Sequence, residues 1–248
     1  MNAVILGDGL LGKELASQTN WDVLSRKKDG INFADLTGWS YKLLCYDTIV
    51  NCVAFTKTYE NSKEESWSTN VKALDELIDY CNKTSKKLVH ISTDYVYAGS
   101  EENCSEEGVP VHLGTFYGYT KLVGDALVQL RSNDHLICRL SHKPNPFPYE
   151  KAWSDVQTNC DYVDVIAGLV VKLIENKAQG VFNVGTETKS IYELALKTNK
   201  NVGLSCRPEQ APRNTTMSLD KFKQFFKRLD LTILCSTIQQ CVLLILKH

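Results

Sequence analysis

Short apolar runs alternate with longer amphipathic segments along the first 140 residues of the chain. The apolar runs are too short for helices and read as strands: NAVILG, WDVLS, DTIVNCVA, KLVHIST and HLICRLS. Helical spacing of apolar residues separates them, in LLGKELASQ, in the charged stretch from Tyr59 to Lys83 and in YGYTKLVGDALVQLR. Strands that are almost entirely apolar are buried on both faces. The alternation predicts an α/β fold, a Rossmann-type doubly wound parallel sheet covered by helices.

The pattern changes after Ser141, where HKPNPFP holds three of the six prolines and excludes a regular helix or a central strand. Beyond it the sequence predicts a short helix near Tyr149 to Asp155, a helix from Val163 to Glu175, a strand GVFNVG, a helix from Ser190 and two closing helices. We therefore predict a dinucleotide-binding Rossmann domain at 1–140 and a smaller substrate-binding part at 141–248, interleaved with a Rossmann helix near 163–177. Ligands of such sheets bind at the carboxyl ends of the strands.

Three glycines follow the first predicted strand and open the first predicted helix. The stretch is Gly7, Asp8, Gly9, Leu10, Leu11 and Gly12. In this context Gly7 permits a tight turn, Gly9 lets the backbone approach a pyrophosphate, and Gly12 lets the helix pack against the strand. The helix N-terminus offers free N–H groups and a partial positive charge to the phosphates. The motif predicts a dinucleotide cofactor.

A basic turn, SRKKDG, follows the second predicted strand. Cofactor sites that prefer NAD usually carry an acidic residue about 20 positions after the glycines. Here Ser25, Arg26 and Lys27 occupy that region, and Arg26 stands 19 positions after Gly7. A guanidinium binds phosphate in a bidentate manner. The turn favours NADP(H), with its 2′-phosphate, over NAD(H), although an exposed basic turn without a ligand is the alternative.

The candidate chemistry lies in HISTDYVYAGS at 90–100 and FYGYTKLVGD at 116–125. Ser92 and Thr93 end the fourth predicted strand, where their side chains would reach a cleft. On a helix, Tyr117 and Lys121 share one face, whereas Tyr119 points elsewhere. A nearby ammonium favours the phenolate, so we expect Lys121 to lower the pKa of Tyr117. Read alone, the Tyr-x-x-x-Lys spacing also fits a surface tyrosine beside a solvated lysine.

Composition narrows the class of protein. The 248 residues carry a formal net charge of −1, which argues against nucleic acid or an anionic membrane as the main partner. Nine scattered cysteines and no secretory leader predict reduced thiols and a cytoplasmic location. No His-x-x-x-His spacing suggests a metal site. The apolar segment CVLLIL near the C-terminus is shorter than the roughly 20 residues that cross a bilayer.

Together these stretches resemble the extended short-chain dehydrogenase/reductase family, and within it the dTDP-4-dehydrorhamnose reductase branch. The resemblance rests on the glycine motif, DTIVNCVAFT, Asn70, STDYVY, FYGYTKLVGD and GVFNVG. It implies an NADPH-dependent reductase of a 4-keto-6-deoxy nucleotide sugar in deoxysugar biosynthesis. A homodimer is compatible with this expectation.

The resemblance also implies roles for individual residues. Thr93, Tyr117 and Lys121 correspond to the catalytic hydroxyl, tyrosine and lysine, and Asp35, Asn51 and Ala54 flank the cofactor. Thr93, Asp94 and Tyr95 would lie near the substrate, and we place Arg213 near its diphosphate, with an exposed loop arginine as the alternative. Bifunctional epimerase-reductases carry a cysteine where this chain has Tyr95, so a reductase without epimerase activity is expected.

Two other functions stay open at this point. An epimerase or dehydratase of the same fold would use the cofactor transiently, and Asp94 stands where a dehydratase could carry its additional carboxylate. A non-catalytic NADP-binding regulatory subunit would keep the same motifs. The segment from Arg139 to Tyr162 also looks shorter than in the family, which leaves the identity of the sugar undetermined.

Overall fold

The structure is a computed structural model, and it describes residues 1–59, 62–108 and 114–230. Its strands are β1 (Ala3–Leu6), β2 (Asp22–Leu24), β3 (Thr48–Asn51), β4 (Lys87–Thr93), β5 (His135–Leu140), β6 (His142–Lys143), β7 (Lys151–Trp153), β8 (Asp161–Tyr162), β9 (Gly180–Val184) and β10 (Gly203–Ser205). Its helices are α1 (Leu10–Gln18), α2 (Arg26–Asp29), α3 (Lys63–Trp67), α4 (Ala73–Lys83), α5 (Phe116–Arg131), α6 (Val163–Glu175) and α7 (Ile191–Leu196), followed by helical residues 220–230.

The main sheet has six parallel strands in the order β2-β1-β3-β4-β5-β9. The chain passes from β1 to β2 on one side and then to β3 on the other side of β1. Strand order therefore reverses between β1 and β3, which opens a crevice at their carboxyl ends. The predicted Rossmann-type, doubly wound α/β fold is confirmed.

Both faces of the sheet are covered, which is why the strands are apolar throughout. On one face α1 and α6 pack over Ile5, Val50 and Val89, and aromatic residues of helix 220–230 extend this layer. On the other face α4 and the turns around Trp39 cover Val4 and Ile49. Burying one such aliphatic side chain stabilises the fold by about 1.5–3 kcal/mol. The sheet thus holds the ends of its strands rigidly in place.

A smaller unit sits on a separate core built from segments after residue 140. Phe147, Ala152, Cys160, Ile191 and Leu194 belong to this core. Two short parallel pairings, β6 with β8 and β7 with β10, join its segments. Between them the chain returns to the main sheet as α6 and β9, so the two units are interleaved. The division at residue 140 remains a prediction.

Two predicted elements differ from the structure, and a third lies partly outside the described residues. The expected helix near Tyr149 to Asp155 is wrong, because Lys151–Trp153 forms strand β7, whose partner β10 lies about 50 residues along the chain. Within the predicted helix from Tyr59 to Lys83, residues 63–83 are helical but pass through a π-helical turn at Ser68–Lys72. Of the two expected closing helices, the structure describes residues 220–230, and CVLLIL lies outside the described residues.

Two properties of the described residues bear on the class of function. None of the helices in this part of the chain is long and apolar enough to cross a membrane. The same residues contain no group of three or more histidine, cysteine or acidic side chains placed to hold a metal ion.

Candidate active site

The glycine loop lies at the crevice between β1 and β3. Gly7 has a φ of +98°, a conformation that L side chains rarely adopt, and its N–H donates to Leu24 O at 2.9 Å. A Cβ on Gly12 would stand 2.0 Å from Gly7 O, so only glycine lets α1 pack this closely. A Cβ on Gly9 would meet nothing within 4 Å and would project into open space. The loop forms a cradle with room for a phosphate group at the start of α1.

A cleft of about 700 Å³ runs from this loop across the carboxyl ends of the strands. One end is lined by Gly7–Gly12, Arg26 and 32–34. The middle is lined by Cys52–Thr56 with Thr58 and Thr69, and the far end by Ile91–Tyr95, Tyr117, Lys121 and Leu140–Lys143. The volume fits a dinucleotide-sized ligand, which agrees with the 300–1,000 Å³ typical of ligand pockets.

At the far end Thr93 and Tyr117 both line the cleft, and hydrogen bonding by Thr93 acts to lower the pKa of Tyr117. Thr93 caps the turn after β4 by accepting from Tyr95 N–H at 3.3 Å, and its hydroxyl donates to Asp94 Oδ1 at 3.2 Å. Tyr117 reaches the cleft because Thr115 caps α5, accepting from Gly118 N–H. The ring of Tyr95 meets that of Tyr117 edge-on, with centroids 6.4 Å apart. A hydroxyl and a phenol therefore point at one spot in the cleft.

The helical register of α5 separates its two tyrosines. Tyr117 lines the cleft, whereas Tyr119 is 42% exposed, lies outside the residues that line it, and stacks on Trp67 with ring centroids 6.5 Å apart. The difference follows from helix geometry, because residues two apart face different directions.

Lys121 is fully buried at the base of the cleft, with only 1% of its surface exposed. Its Nζ donates to Ile91 O at 2.8 Å and lies 3.1 Å from His90 Nε2. Burial lowers the pKa of Lys121 to about 8, opposed by the nearby Asp125 carboxylate.

The expected lowering of the Tyr117 pKa by Lys121 is wrong for the protein without ligands. Burial raises the pKa of Tyr117 to about 12, and the hydrogen bond with Thr93 only partly offsets this effect. The physical reason is desolvation, which disfavours the charged phenolate more strongly than one hydrogen bond favours it. Sequence spacing placed the two residues on one face but could not show that Lys121 is fully buried and Tyr117 partly buried.

Asp94 is a buried carboxylate that joins the two units of the molecule. It accepts hydrogen bonds from Thr215 at 2.6 Å, Thr158 at 3.2 Å and Thr93 at 3.2 Å. Burial raises its pKa, while the three hydroxyls act in the opposite direction. Although Asp94 borders the cleft, its oxygens are committed to these partners, two of which come from residues beyond 150.

Other predicted cofactor residues divide between the cleft and its surroundings. Arg26 and Ala54 line the cleft, as do Leu10 and Leu11. Ser25 instead caps α2, accepting from Lys28 N–H at 3.2 Å, and is fully buried. Lys27, Asp35 and Asn51 do not line the cleft; the first two are exposed, and Asn51 is buried against His90.

Arg213 also lies outside the residues that line the cleft. Its side chain is exposed, and its backbone carbonyl accepts from Gln157 N–H at 2.8 Å. Its assignment to the substrate diphosphate stays a prediction, and the structure gives the alternative of an exposed loop arginine more weight.

A family model described as RmlD substrate binding domain matches residues 1–142, more than half of the chain. The chain belongs to this family. The match contains the glycine loop, Thr93, Tyr117 and Lys121, and the predicted relation to the extended short-chain dehydrogenase/reductases is confirmed.

Curated relatives carry names from sugar biosynthesis. The chain is 31% identical over 140 residues to the spore coat polysaccharide biosynthesis protein SpsK of Bacillus subtilis, covering 54% of this chain and 50% of that protein. It is 29% identical over 209 residues to a dTDP-4-keto-6-deoxy-D-glucose reductase of Streptomyces niveus, covering 71% and 72%. The chain therefore spans about half the length of the first of these relatives.

Solved structures share the fold. A hypothetical dTDP-4-dehydrorhamnose reductase from Sulfolobus tokodaii superposes with a TM-score of 0.79 at 22% identity, covering 90% of this chain and 94% of that one. The dTDP-4-dehydrorhamnose reductase of Bacillus anthracis, solved in complex with NADP, gives 0.75 at 23% identity, covering 90% and 92%.

Sequence reasoning assigned no role to two residues at or near this cleft. Lys143 lines the far end beside His142, and its place in a proline-rich segment gave no signal for such a role. The amide of Asn70 holds the loop after β3: it accepts from Phe55 N–H at 2.8 Å and donates to Thr120 Oγ1 at 3.0 Å. Asn70 sits in the π-helical turn, a feature that often marks functional sites. The resemblance included Asn70 without assigning it a task.

Proposed function

We propose that this protein is an NADPH-dependent reductase of a 4-keto-6-deoxy nucleotide sugar. The observation that carries the proposal is one continuous cleft, with a glycine cradle at one end and the Thr93–Tyr117 pair at the other. Such a cleft can hold the pyrophosphate and the reacting ring of a nicotinamide cofactor at the same time. The names of the relatives support the substrate class.

The cofactor end fits a dinucleotide on the structure's own geometry. The positive φ of Gly7, the close packing at Gly12 and the open space at Gly9 form a cradle that side chains would fill. Arg26 would bind the 2′-phosphate of NADP(H) through charge-assisted hydrogen bonds. NAD(H) would lack that contact, and we expect it to bind more weakly.

When bound, the nicotinamide would supply the hydride for reduction of the keto carbon. Thr93 would turn its hydroxyl hydrogen from Asp94 Oδ1 to the carbonyl oxygen and so orient the substrate, and Tyr117 would transfer its phenolic proton to that oxygen as negative charge develops there. Because burial raises the pKa of Tyr117, the phenol keeps its proton at neutral pH and transfers it only as negative charge develops on the sugar oxygen. Lys121 lies one helical turn away and would hold the cofactor ribose.

The environment of Asp94 makes a dehydratase less well supported than a reductase. That reaction needs a carboxylate free to exchange a proton with the sugar, whereas Asp94 is 2% exposed and accepts from three hydroxyls. Epimerisation would need a base beside the sugar. The hydroxyl of Tyr95 is engaged with that of Tyr59 at 2.8 Å, and burial raises the pKa of Tyr95 strongly, so it makes a poor base.

We assign Lys143 to the anionic part of the substrate. It lines the far end of the cleft, and within the described residues no carboxylate lies within 4 Å of its ammonium group. Its cation sits over the Trp153 ring at 5.9 Å, which leaves it able to approach a diphosphate. Lys143→Met should raise the KM for the nucleotide sugar at least tenfold, whereas Arg213→Met should change it little. The reverse result would return the role to Arg213.

The location and assembly of the enzyme are further parts of the proposal. We expect it to act in the cytoplasm, and the seven cysteines in the described part of the chain are free thiols, which fits a reducing compartment. A homodimer is expected and would be measured by light scattering of the purified chain.

One assay separates the functions. The protein is incubated with NADPH and a panel of 4-keto-6-deoxy sugars linked to dTDP, UDP or GDP, and the absorbance of NADPH is followed. Consumption of NADPH supports the reductase. Product formed without net consumption would support an epimerase, and binding of NADPH without any product would support a regulatory subunit.

A further inference from the structure

A chain of buried polar side chains lies behind Lys121, on the side away from the cleft. Asn51 Nδ2 is 3.4 Å from His90 Nδ1, and His90 Nε2 is 3.1 Å from Lys121 Nζ. Asp125 Oδ1 lies 3.9 Å from the same His90 nitrogen. All four residues are at least 95% buried, so each hydrogen must find its acceptor within this group.

The orientation of the Asn51 amide is fixed by the backbone. Val53 N–H contacts one terminal atom of Asn51 at 3.1 Å. A backbone N–H can only donate, so that atom must be the carbonyl oxygen Oδ1. The other terminal atom, which faces His90, is therefore the NH₂ group, which can only donate.

The amide in turn fixes the tautomer of His90. Because Asn51 donates to Nδ1, this nitrogen must carry the lone pair, and in a neutral imidazole the hydrogen then sits on Nε2. The imidazole is neutral, since burial and the adjacent Lys121 lower the pKa of His90 well below its ordinary value. Its Nε2–H consequently faces Lys121 Nζ and Asp125 Oδ1, an oxygen with no other hydrogen-bond partner.

The His90 Nε2–H directed at Lys121 Nζ favours the neutral amine form of Lys121 over its ammonium form. A neutral amine can accept from His90 and still donate to Ile91 O. An ammonium has only donors, so it would require His90 to move its hydrogen to Nδ1, against the Asn51 amide. Either the Asn51–His90 pair or the Asn51–Val53 contact would then place two N–H donors against each other. One buried donor would be left without an acceptor.

Other groups near Lys121 act on its charge as well. Asp125, one turn along α5, favours the ammonium, and so does the Cys52 thiol in its ionised form, but burial raises the pKa of that thiol to about 12. The carboxylate of Asp125 is shared with Arg139, whose Nε donates to it at 2.9 Å. The lowered pKa of Lys121, about 8, agrees with an amine that becomes accessible near neutral pH.

We infer that Asn51 and His90 are positioning residues that hold Lys121 ready to release its proton. In this arrangement Val53 orients Asn51, Asn51 sets the tautomer of His90, and His90 disfavours the ammonium form of Lys121. If the proposed reductase activity is correct, on which this consequence rests, Lys121 can pass a proton towards Tyr117 after the phenol has given its own to the sugar. One proton leaves Lys121 and one arrives at Tyr117, so the step is balanced.

The first test uses the unmodified full-length protein without cofactor or substrate. ¹⁵N NMR of the histidine rings reports the tautomer, and the His90 signals are assigned by their loss in His90→Gln. We expect Nε2 to be protonated and Nδ1 to act as the acceptor at pH 9, where Lys121, with its pKa of about 8, is mostly the neutral amine. The Nδ1–H tautomer would overturn the inference.

The second test follows the charge of Lys121 through the ¹³Cε shift of labelled lysine, assigned with Lys121→Arg. Asn51→Leu removes the donor that sets the tautomer, and we expect the midpoint of Lys121 to rise by about one pH unit, the size of one hydrogen bond. The carboxylate introduced by Asn51→Asp can accept hydrogen bonds from both Val53 and His90, so the midpoint of Lys121 should rise further. Thr48→Val, a buried polar-to-apolar change on the same strand, is the control and should leave the midpoint unchanged.

An unchanged midpoint in both Asn51 variants would overturn the inference, as would an equal rise in Thr48→Val. If the Asn51 variants do not fold, the tautomer measurement on the natural chain still decides. Both readouts are independent of catalysis. A negative reductase assay would therefore not contradict the NMR measurements, and a negative NMR result would not contradict the proposed reductase reaction.

Discussion

The two ends of the main cleft are built in different ways. The cofactor end comes from one short stretch of chain, β1, the glycine loop and α1, with Arg26 close behind. The reacting end joins the exits of β4 and β5 to the start of α5, and Asp94 ties it to Thr158 and Thr215, which lie 64 and 121 residues away in sequence. A local motif can bind a cofactor, but only a folded core can align a hydroxyl, a phenol and a buried lysine.

The difference also appears in how each end handles charge. The cofactor end uses exposed donors, namely helix N–H groups and the Arg26 guanidinium, that are ready to meet phosphates. At the reacting end Asp94 and Lys121 are fully buried and Tyr117 is partly buried, and burial displaces the pKa values of all three. Binding and chemistry should therefore respond separately to mutation.

The largest expected effect lies at the reacting end. Tyr117→Phe removes only a hydroxyl and should lower turnover by about 10²–10⁴-fold, the usual loss for a general acid. Binding of NADPH, measured by its fluorescence, should be nearly unchanged. Tyr119→Phe is the matched control on the same helix and should affect turnover little. Greater damage from Tyr119→Phe would mean that the cleft is lined by the other face of α5.

Two glycine substitutions test the cofactor end. Gly12→Ala places a methyl group 2.0 Å from Gly7 O, and the forced shift should cost about 1–3 kcal/mol of unfolding free energy and weaken NADPH binding. Gly9→Ala meets nothing within 4 Å, so urea unfolding should be unaffected while cofactor binding is lost. Equal destabilisation by both would show that the loop is structural only.

Arg26 tests the choice between cofactors. Arg26→Ala removes charge-assisted bonds worth about 1.5–3 kcal/mol, so the affinity for NADPH should fall roughly 10- to 100-fold while that for NADH stays the same. Titration of both cofactors by isothermal calorimetry gives the ratio. Lys27→Ala, a charge change one residue away and outside the cleft lining, is the control. Equal affinities of the natural protein for the two cofactors would contradict the role of Arg26.

The last effect concerns the pH dependence of stability at the reacting end. Burial lowers the pKa of His142 to about 4, below its ordinary value of 6.5. The folded state therefore binds this proton less readily than the unfolded state. The contribution of His142 to the free energy of unfolding is at most about 3 kcal/mol. It is fully present above pH 6.5 and is lost as the pH falls towards 4.

Urea unfolding of His142→Gln between pH 4 and 7 checks this effect. The variant should show a shallower loss of stability on acidification than the natural protein, and His135→Gln, on the amino end of β5, should keep the full loss. Parallel curves for His142→Gln and the natural protein would assign the acid sensitivity to other groups, such as the buried Asp161, whose pKa is lowered.

The sequence by itself determined the fold class and the cofactor loop. Apolar strands buried on both faces and the Gly7-x-Gly9-x-x-Gly12 spacing are local signals, since each constrains a few consecutive residues. The (i, i+4) relation of Tyr117 and Lys121 is local as well, and it placed Tyr117 in the cleft and Tyr119 outside it. The helix Val163–Glu175 was likewise predicted with the bounds that the structure has.

Tertiary structure alone decided the rest. Strand Lys151–Trp153 exists because Gly203–Ser205 lies beside it, a pairing that no local propensity records. The partners of Asp94 and the Asn51–His90–Lys121 chain are contacts between distant segments, which a linear pattern does not encode. Burial itself is a property of the folded molecule, and it reversed the expected shift of the Tyr117 pKa. Desolvation depends on every atom packed around a group, so it can be read only after the chain has folded.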